Sequence, residues 1–400
     1  MIAGRTAAGR KAAGRKAAGR TAAGALLGLL ACGGGDTTAP PTEPPPNTAS
    51  GTLGTIVDSV RQAHGLPAMG GAVVTASGLQ AMGVAGFRRW GGTVPVTQSD
   101  KWHLGSNLKA QTAALAAIAV DAGRISWTST VGASFPELAG TIRSDIRDVT
   151  LEDLLANRGG IRNDPPQSVW SGATARAQRE TAVAWGTSNA PAVPRGTYHY
   201  SNVGFVIAGA MVERALGGTY EDLMRDRLWG PAGATAPGWG PQAASGATDQ
   251  PVAHRRSGGG WVPCEGCDNP PGLSAAGRAH MPLADWGAVI AELLRADAGT
   301  STLIGPASGR KLTTDHVGIP GGDSYGQGWV IVSGGRPWGG PRVITHSGSN
   351  TVNHSVAWLS LSRGFAVLAV TNAADLDGGV TTRALDALAG RLIRYYETGQ

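Results

Sequence analysis

The sequence predicts an α+β fold in which an antiparallel β-sheet is flanked by helices and carries an inserted, mostly helical domain. Apolar, β-rich runs occur at 71–75, 79–87, 328–332, 342–346, 354–360 and 365–371. The chain from 106 to about 300 is mainly helical in pattern, with long Gly- and Pro-rich loops. Strands at both ends of the chain indicate one sheet assembled from two halves. Its border with the helical part predicts a cleft, where ligands usually bind.

Two further helices are predicted, at 53–64 and at about 379–396. A chain of 400 residues with 42% hydrophobic content can build a substantial core. We therefore expect one domain at 51–400, with its sheet drawn from about 53–105 and 300–400 and its helical part from about 106–299.

The positive charge of the chain is confined to its start. The formal net charge is +6, and six basic residues lie in the first 20 positions, whereas no acidic residue precedes Asp36. The remainder of the chain is therefore neutral overall. Nothing basic remains to indicate a nucleic-acid partner.

Residues 1–31 are typical of a signal segment, with a basic start and an apolar run at 22–30 that is too short to span a bilayer. Leu29-Leu30-Ala31-Cys32 resembles the lipobox of bacterial lipoproteins, in which the cysteine is lipidated. A Pro-, Thr- and Gly-rich tether follows at 32–50. We expect a protein of the bacterial cell envelope, anchored to the membrane through lipid on Cys32. Plain secretion with Cys32 removed is the alternative.

The other two cysteines, Cys264 and Cys267, lie in a Gly- and Pro-rich loop. Outside the cytoplasm a disulfide between them is the first expectation, and His254 and His280 leave a zinc site as an alternative. The eight histidines form no H-x-H-x-D or H-E-x-x-H cluster. We expect no metal and no cofactor.

Ser106 and Lys109 stand one helical turn apart at the start of an apolar run, 110–120. That run is apolar nearly all round, which indicates a buried helix. Residues at i and i+3 share a helix face, so the serine hydroxyl and the amine can bond to each other. Burial favours the neutral amine, which can act as a base. Ser106 is also placed where an N-cap is expected.

Two later motifs carry polar groups that can reach the same cleft. Tyr200-Ser201-Asn202 precedes a second apolar run that predicts a helix with Ser201 as its cap. His346-Ser347-Gly348 ends a β-rich run, and a glycine there allows a ligand to approach the strand closely. Ser308 and Lys311 repeat the serine–lysine spacing, but no long apolar run follows them.

Taken in order, these elements resemble the serine β-lactamase and penicillin-recognising superfamily, in particular its branch of class C β-lactamases, DD-peptidases and esterases. The resemblance runs from about 53 to 394 and implies the β-lactamase/transpeptidase-like form of the predicted fold. The phrases that carry it, besides the three motifs, are 103–106, 148–155, 200–204, 325–329 and 370–372.

The resemblance implies a role for each matching residue. Ser106 is then the acylated nucleophile, Lys109 its proton acceptor, and Tyr200 a general acid/base whose pKa the neighbouring Lys109 must lower. Asn202 is implied to hold the amide side of the substrate. The backbone N–H groups of Ser106 and Ser349 are implied to form the oxyanion hole, while His346, Ser347 and Gly348 face the far end of the substrate.

One difference from class C β-lactamases concerns the third motif, where those enzymes carry Lys-Thr-Gly. His346 replaces a fixed cation by a titratable group and is closer to the DD-peptidase and esterase members. The resemblance therefore implies a monomeric serine hydrolase that forms an acyl-enzyme on an ester, a peptidoglycan-type peptide or, more weakly, a β-lactam.

The sequence leaves two alternative functions. One is a lipid-anchored penicillin- or peptidoglycan-binding protein that acylates slowly or not at all. The other is an α/β-hydrolase that uses Ser324, because Gly322-Asp323-Ser324-Tyr325-Gly326 fits G-x-S-x-G and Asp375 with His346 or His354 could complete a triad.

Overall fold

The computed structural model describes residues 51–375 and 379–399. The predicted signal segment at 1–31, the lipidation site Cys32 and the tether at 32–50 lie outside the described residues. Within the described ranges, no helix combines the length and the apolar character needed to cross a membrane.

An eight-stranded sheet forms the centre of the fold. Its strands are β1 (Ala68–Thr75), β2 (Gly78–Gly86), β3 (Val317–Gly318), β4 (Ser324–Tyr325), β5 (Val330–Ile331), β6 (Val343–Ser349), β7 (His354–Ser360) and β8 (Phe365–Thr371). Their order is β2-β1-β8-β7-β6-β5-β4-β3, and every neighbouring pair is antiparallel. The predicted α+β fold, with one sheet built from both ends of the chain, is confirmed.

Among the described residues, six helices are longer than ten residues: α1 (Gly51–Ala63), α2 (Leu108–Asp121), α3 (Ala175–Ser188), α4 (Asn202–Leu216), α5 (Leu283–Ala298) and α6 (Val380–Thr398). Shorter helical segments are Gly105–Asn107, Val131–Ser134, Pro136–Leu138, Ser144–Arg147, Leu151–Leu155, Gln167–Trp170, Tyr220–Met224, Arg225–Trp229, Gly230–Ala232, Pro271–Leu273, Ser274–Gly277 and Pro306–Leu312.

The predicted helical region also contains short strands, which the sequence pattern did not indicate. Two three-stranded sheets are formed, one by His254–Ser257, Gly260–Pro263 and Ala373–Ala374, the other by Lys101–His103, Gly238–Trp239 and Ala279–Pro282. Strands of two to four residues are too short to show an alternating apolar pattern, and for this reason β3 and β4 were missed as well.

The two faces of the main sheet are covered by different helices. Alternate residues of a strand point to opposite faces, and Val73 of β1 joins the core formed with α1 and α6. Its neighbour Val74 joins the larger core, which contains α5, α2 and α4. The site described below lies on the side of the larger core.

Helix α2 is a core helix, as its sequence predicted. Eleven of its fourteen residues are buried, including the charged-type side chain of Lys109. The small residues of α2, mostly alanines, allow neighbouring helices to pack closely around it. The first turn of α2 therefore begins at the border between the helical part and strand β6.

Candidate active site

Ser106 lies in a 3₁₀ turn, Gly105–Asn107, which runs directly into α2. The expectation that Ser106 caps this helix is wrong. Asn107 precedes the first residue of α2, and its side chain makes no capping bond, because the turn continues into the helix with helical backbone angles. The half-buried Ser106 hydroxyl is thus directed towards other side chains.

Lys109 is completely buried and points back towards Ser106. Its Nζ lies 2.9 Å from Ser106 Oγ, 2.7 Å from Asn202 Oδ1 and 2.8 Å from the carbonyl oxygen of Ala276. All three partners are uncharged. Burial lowers the pKa of Lys109 well below its usual value.

Tyr200 and Asn202 reach the same point from the start of α4. Ser201 caps α4 by accepting a hydrogen bond from Gly204 N (2.9 Å), as predicted. This cap fixes the residues on either side of it, so that Asn202 meets Lys109 and the Tyr200 hydroxyl interacts with the Ser106 side chain.

The protonation state of Tyr200 differs from the expectation. Burial raises the pKa of Tyr200, and this outweighs the hydrogen bond to Ser106, which lowers it. Lys109 Nζ does lie 4.7 Å from the centre of the Tyr200 ring. However, an amine with a strongly lowered pKa supplies little positive charge to stabilise a phenolate. Tyr200 is therefore a protonated phenol at neutral pH.

The end of strand β6 passes directly against the turn that carries Ser106. A Cβ atom added at Gly348 would collide with the carbonyl oxygen of Leu104 and lie 2.8 Å from Ser106 N. A Cβ atom added at Gly105, whose φ is +50°, would collide with the backbone of Ser349. The backbones around Ser106 N–H and Ser349 N–H are thus adjacent, and two glycines make this approach possible.

His346 is buried beside Tyr200, with 6.3 Å between the centres of the two rings. Its Nδ1 donates to the carbonyl oxygen of Ser347 (2.6 Å), so Nε2 accepts from the Tyr325 hydroxyl (3.0 Å). Burial lowers the pKa of His346 to about 3, with a smaller contribution from Lys109 in its protonated form. At neutral pH His346 is therefore an uncharged group, which corrects its expected role as a titratable replacement for lysine.

Ser347 belongs to the opposite face of strand β6. Its hydroxyl pairs with His354 Nε2 (3.0 Å), and His354 Nδ1 contacts the Thr381 hydroxyl on α6 (3.0 Å). Neighbouring residues of a strand point in opposite directions. The structure therefore does not bring the Ser347 hydroxyl together with Ser106.

Several residues without a predicted role support the site. Asn157 Oδ1 accepts from Ser201 N (2.9 Å) and Asn163 Oδ1 accepts from Asn202 N (2.6 Å), so two amides hold the segment between Tyr200 and Asn202. Asn157 adopts a positive φ of 54°. Tyr325 belongs to a phrase that the resemblance singled out, which was the available signal. No local pattern marks Asn157 or Asn163, because their contacts are about 40 residues away in sequence.

Cys264 and Cys267 are joined by a disulfide. His254 Nε2 accepts from Trp90 N (2.9 Å), and His280 Nδ1 pairs with the carbonyl oxygen of Gly240 (2.9 Å). Both histidines are thus engaged with the backbone. In the part of the chain that the structure describes, no group of three or more histidine, cysteine and acidic side chains is arranged to hold a metal.

The competing serines lie in unsuitable surroundings. Ser308 donates to Asp121 Oδ1 (2.6 Å), and Lys311 forms an ion pair with Glu152 (2.6 Å) rather than facing Ser308. Ser324 belongs to the two-residue strand β4, whereas the α/β-hydrolase motif requires a preceding strand and a following helix. Asp375 caps α6 through Val380 N and Thr381 N. The alternative built on Ser324 is therefore excluded by the fold.

The family model described as Beta-lactamase matches residues 53–391. The chain belongs to the Beta-lactamase family. The family and fold are those of serine hydrolases that transfer acyl groups, and the resemblance seen in the sequence is confirmed.

Two curated relatives extend this assignment. Unguisins hydrolase ungD' from Aspergillus campestris is 26% identical over 301 residues, which are 69% of this chain and 53% of that protein. Penicillin-binding protein 4 from Amycolatopsis lactamdurans is 30% identical over 176 residues, 44% of this chain and 45% of that protein. The chain spans about half the length of the curated relatives it matches.

Solved structures in the Beta-lactamase family show the same fold. A class C β-lactamase from Rhodobacter sphaeroides superposes with a TM-score of 0.66 at 18% identity, covering 85% of this chain and 99% of that one. A D-stereospecific amidohydrolase from Streptomyces sp. gives 0.65 at 21% identity, covering 84% and 97%. At these identities the comparison concerns the fold alone.

Replacing Gly348 by alanine should separate strand β6 from the turn that carries Ser106. Since the added methyl group would collide with backbone atoms, we expect kcat/KM for ester hydrolysis to fall by about 100-fold, the effect of a misplacement near 1 Å. Gly390→Ala on α6 is the matched control, because an added Cβ there meets nothing within 4 Å. A Gly348→Ala enzyme within about 3-fold of wild type would contradict this geometry, since misplacing the reacting groups is costly.

The pH dependence of kcat/KM should be independent of His346. A neutral Lys109 is required to accept a proton, so activity should fall as the pH drops through the lowered pKa of Lys109. His346, with a pKa of about 3, is uncharged throughout the range from pH 5 to 8. We expect His346→Gln, which keeps a polar group near Tyr325, to leave the midpoint of the acid limb unchanged. Loss of that limb in His346→Gln would show that the histidine itself titrates.

Proposed function

We propose that this protein is a serine hydrolase that cleaves esters or amides through an acyl-enzyme on Ser106, with Lys109 as the base and Tyr200 as the acid. The observation that carries the proposal is the fully buried Lys109 amine, 2.9 Å from Ser106 Oγ and surrounded by uncharged acceptors.

The contacts of Lys109 favour proton transfer from Ser106. A neutral amine has two N–H donors and one lone pair. The carbonyl oxygens of Asn202 and Ala276 can only accept, so they take both N–H groups. The lone pair is then left for the Ser106 O–H. The starting protonation state that a general base needs is thus favoured by hydrogen bonding as well as by burial.

The reaction follows from these positions. Ser106 Oγ bonds to the substrate carbonyl carbon while its proton passes to Lys109. The N–H groups of Ser106 and Ser349 stabilise the oxyanion, each contributing about 3 kcal/mol in comparable enzymes. Tyr200, which is protonated in the resting state, donates its proton to the departing oxygen or nitrogen and then takes a proton from Lys109. Water then hydrolyses the ester on Ser106, and the proton returns to the serine.

The uncharged surroundings of Ser106 favour substrates without a carboxylate on the leaving-group side. Lys109, Tyr200 and His346 are all neutral in the resting state proposed here. A fixed cation, which the third motif of class C β-lactamases provides, is replaced by a histidine that stays uncharged. We therefore place esterase- and amidase-like activity on such substrates first, above DD-peptidase-like activity, whose substrates carry that carboxylate, and above β-lactamase activity. A D-stereospecific amidohydrolase and a hydrolase are among the proteins similar to this chain, which supports this order.

A non-catalytic penicillin- or peptidoglycan-binding protein is the second candidate. Proteins with that role need the nucleophile but not a complete proton path. Ser106, Lys109 and Tyr200 are all present and in mutual contact, and removal of any one member of such a unit destroys most of its activity. Turnover is therefore favoured over binding alone.

The decisive experiment is intact-protein mass spectrometry of the full chain after mixing with a p-nitrophenyl ester, together with the release of p-nitrophenol. We expect an acyl adduct and continued turnover in the wild type and in Ser324→Ala, and neither in Ser106→Ala. Lys109→Met should lower kcat by about 1,000-fold, within the range for a lost general base. An adduct without turnover would favour the binding protein, and activity in Ser106→Ala would overturn the assignment.

A matched pair of peptides tests the substrate charge. An N-acyl-D-Ala-D-Ala peptide and its C-terminal amide differ only in the carboxylate on the leaving-group side. Because no cation is expected at the third motif, the amide should be cleaved at least as efficiently as the acid, measured as kcat/KM. A preference for the acid of 10-fold or more, about 1.4 kcal/mol, would require a cationic partner for the carboxylate and would contradict the neutral site.

A further inference from the structure

One buried carboxylate, that of Asp268, connects the segments that surround Ser106. The Asp268 side chain is only 3% exposed. It follows the disulfide directly in sequence and lies far in sequence from each of the proposed catalytic residues. Its contacts lead to the nucleophile turn and to the end of strand β6.

The first connection runs through His103, which is also buried. His103 Nδ1 accepts a hydrogen bond from Gly105 N (3.0 Å), so in the neutral ring the proton is on Nε2. His103 Nε2 lies 2.8 Å from Asp268 Oδ1. The imidazole is therefore held by a hydrogen bond at Nδ1 and by a close contact with the Asp268 carboxylate at Nε2, and through Nδ1 it acts on the backbone of Gly105, the residue before Ser106.

The second connection reaches the residue that follows Ser349. Asn350 Nδ2 donates to Asp268 Oδ1 (2.8 Å), and Asn350 Oδ1 accepts from Asn353 N (2.9 Å). The loop after strand β6 is thus tied to the same carboxylate oxygen as His103. Both backbone N–H groups of the proposed oxyanion hole belong to segments that Asp268 connects.

A third connection approaches Lys109. Asn269, next to Asp268, donates from Nδ2 to the carbonyl oxygen of Gly277 (2.7 Å), and Ala276 beside it accepts from Lys109. Arg278 Nε lies 3.7 Å from Asp268 Oδ2. Burial alone would raise the pKa of Asp268, but His103, followed by Asn350 and Arg278, holds it below its usual value. The carboxylate therefore stays ionised and can fix these partners at neutral pH.

We propose that His103 and Asp268 are positioning residues for acyl transfer, which hold the turn Gly105–Asn107 against the end of strand β6 so that the N–H groups of Ser106 and Ser349 converge on one oxyanion. This inference rests on the proposed function. Neither side chain contacts Ser106 Oγ in the hydrogen bonds described here, so both act through the backbone.

The proposal predicts an effect on the chemical step rather than on substrate binding. Hydrogen-bond donors of an oxyanion hole act in the transition state, and losing one of them lowers kcat by about 100- to 1,000-fold. A variant in which the turn is only loosened should show part of this loss of kcat. We therefore expect His103→Ala to lower kcat by about 10- to 100-fold while KM changes by less than about 3-fold.

Rescue by asparagine distinguishes positioning from packing. An asparagine side-chain oxygen can accept from the N–H two residues further along, as in an Asx turn. His103→Asn therefore keeps the bond to Gly105 N, and we expect it to restore kcat to within about 5-fold of wild type, whereas His103→Gln, with a longer side chain, should resemble His103→Ala. His254→Ala is the matched control, because His254 is also buried and accepts from a backbone N–H, that of Trp90.

The measurements are kcat and KM for a p-nitrophenyl ester and the melting temperature, on the full chain of each variant. Equal losses of kcat in His103→Asn and His103→Ala, a change confined to KM, or an equal loss of kcat in His254→Ala would overturn the proposal. If Asp268→Ala is also prepared, the fold-loss of kcat in the double variant with His103→Ala should be smaller than the product of the two single losses, because both residues act on one turn. A loss equal to that product would contradict their shared action on the turn.

The failure of this inference can be told from the failure of the proposed function. Ser106→Ala is assayed in parallel. If Ser106→Ala keeps its activity, the assignment of the nucleophile is wrong and the positioning role fails with it. If Ser106→Ala is inactive while His103→Ala retains wild-type kcat, the serine hydrolase stands and only the positioning role is overturned.

Discussion

The burial of a single amine determines the character of this site. Lys109 lies in the first turn of a helix packed on nearly all sides, and none of its three hydrogen-bond partners carries a charge. An unpaired ammonium in such a place would be very costly, so the group loses its proton instead. Lys311, at the same spacing from a serine, shows the contrast, because it forms an ion pair with Glu152. The same four-residue pattern thus places one lysine among uncharged partners and the other in an ion pair.

A neutral amine changes what its neighbours can do. The sequence led us to expect that Lys109 would lower the pKa of Tyr200, and that His346 would be a titratable group in place of a fixed cation. Burial opposes both expectations, because it raises the pKa of Tyr200 and lowers the pKa of His346 to about 3. The degree of burial depends on how α2, α4 and β6 pack together, which residue spacing does not reveal. In the proposed mechanism, protons therefore pass along hydrogen bonds and no fixed charge is required.

The sequence predicted those parts of the molecule that local patterns encode. Long apolar runs predicted β1, β2, β6, β7, β8 and the helices α1, α2, α4 and α6, and two short motifs predicted the group formed by Ser106, Lys109 and Tyr200. Strands of two to four residues left no periodic signal. The supporting residues Asn157, Asn163 and Asp268 were missed for a different reason, since each acts on a partner that is distant in sequence. Their roles follow from the packing of the chain, whereas the motif residues can be identified from the residues next to them in sequence.

The arrangement around Ser106 explains why so many contacts converge there. The turn before α2 and the end of β6 approach so closely that side chains are excluded at Gly105 and Gly348. Glycines permit the contact but cannot fix it, because they add conformational freedom and no side-chain interactions. The geometry must therefore be fixed by residues just outside the contact. His103 and Asn350 occupy those flanking positions, one before the turn and one after the strand, and both bind the same carboxylate oxygen of Asp268. The close approach of the two segments and the contacts that fix it from outside therefore serve the same purpose, which is to place the backbone N–H groups of Ser106 and Ser349.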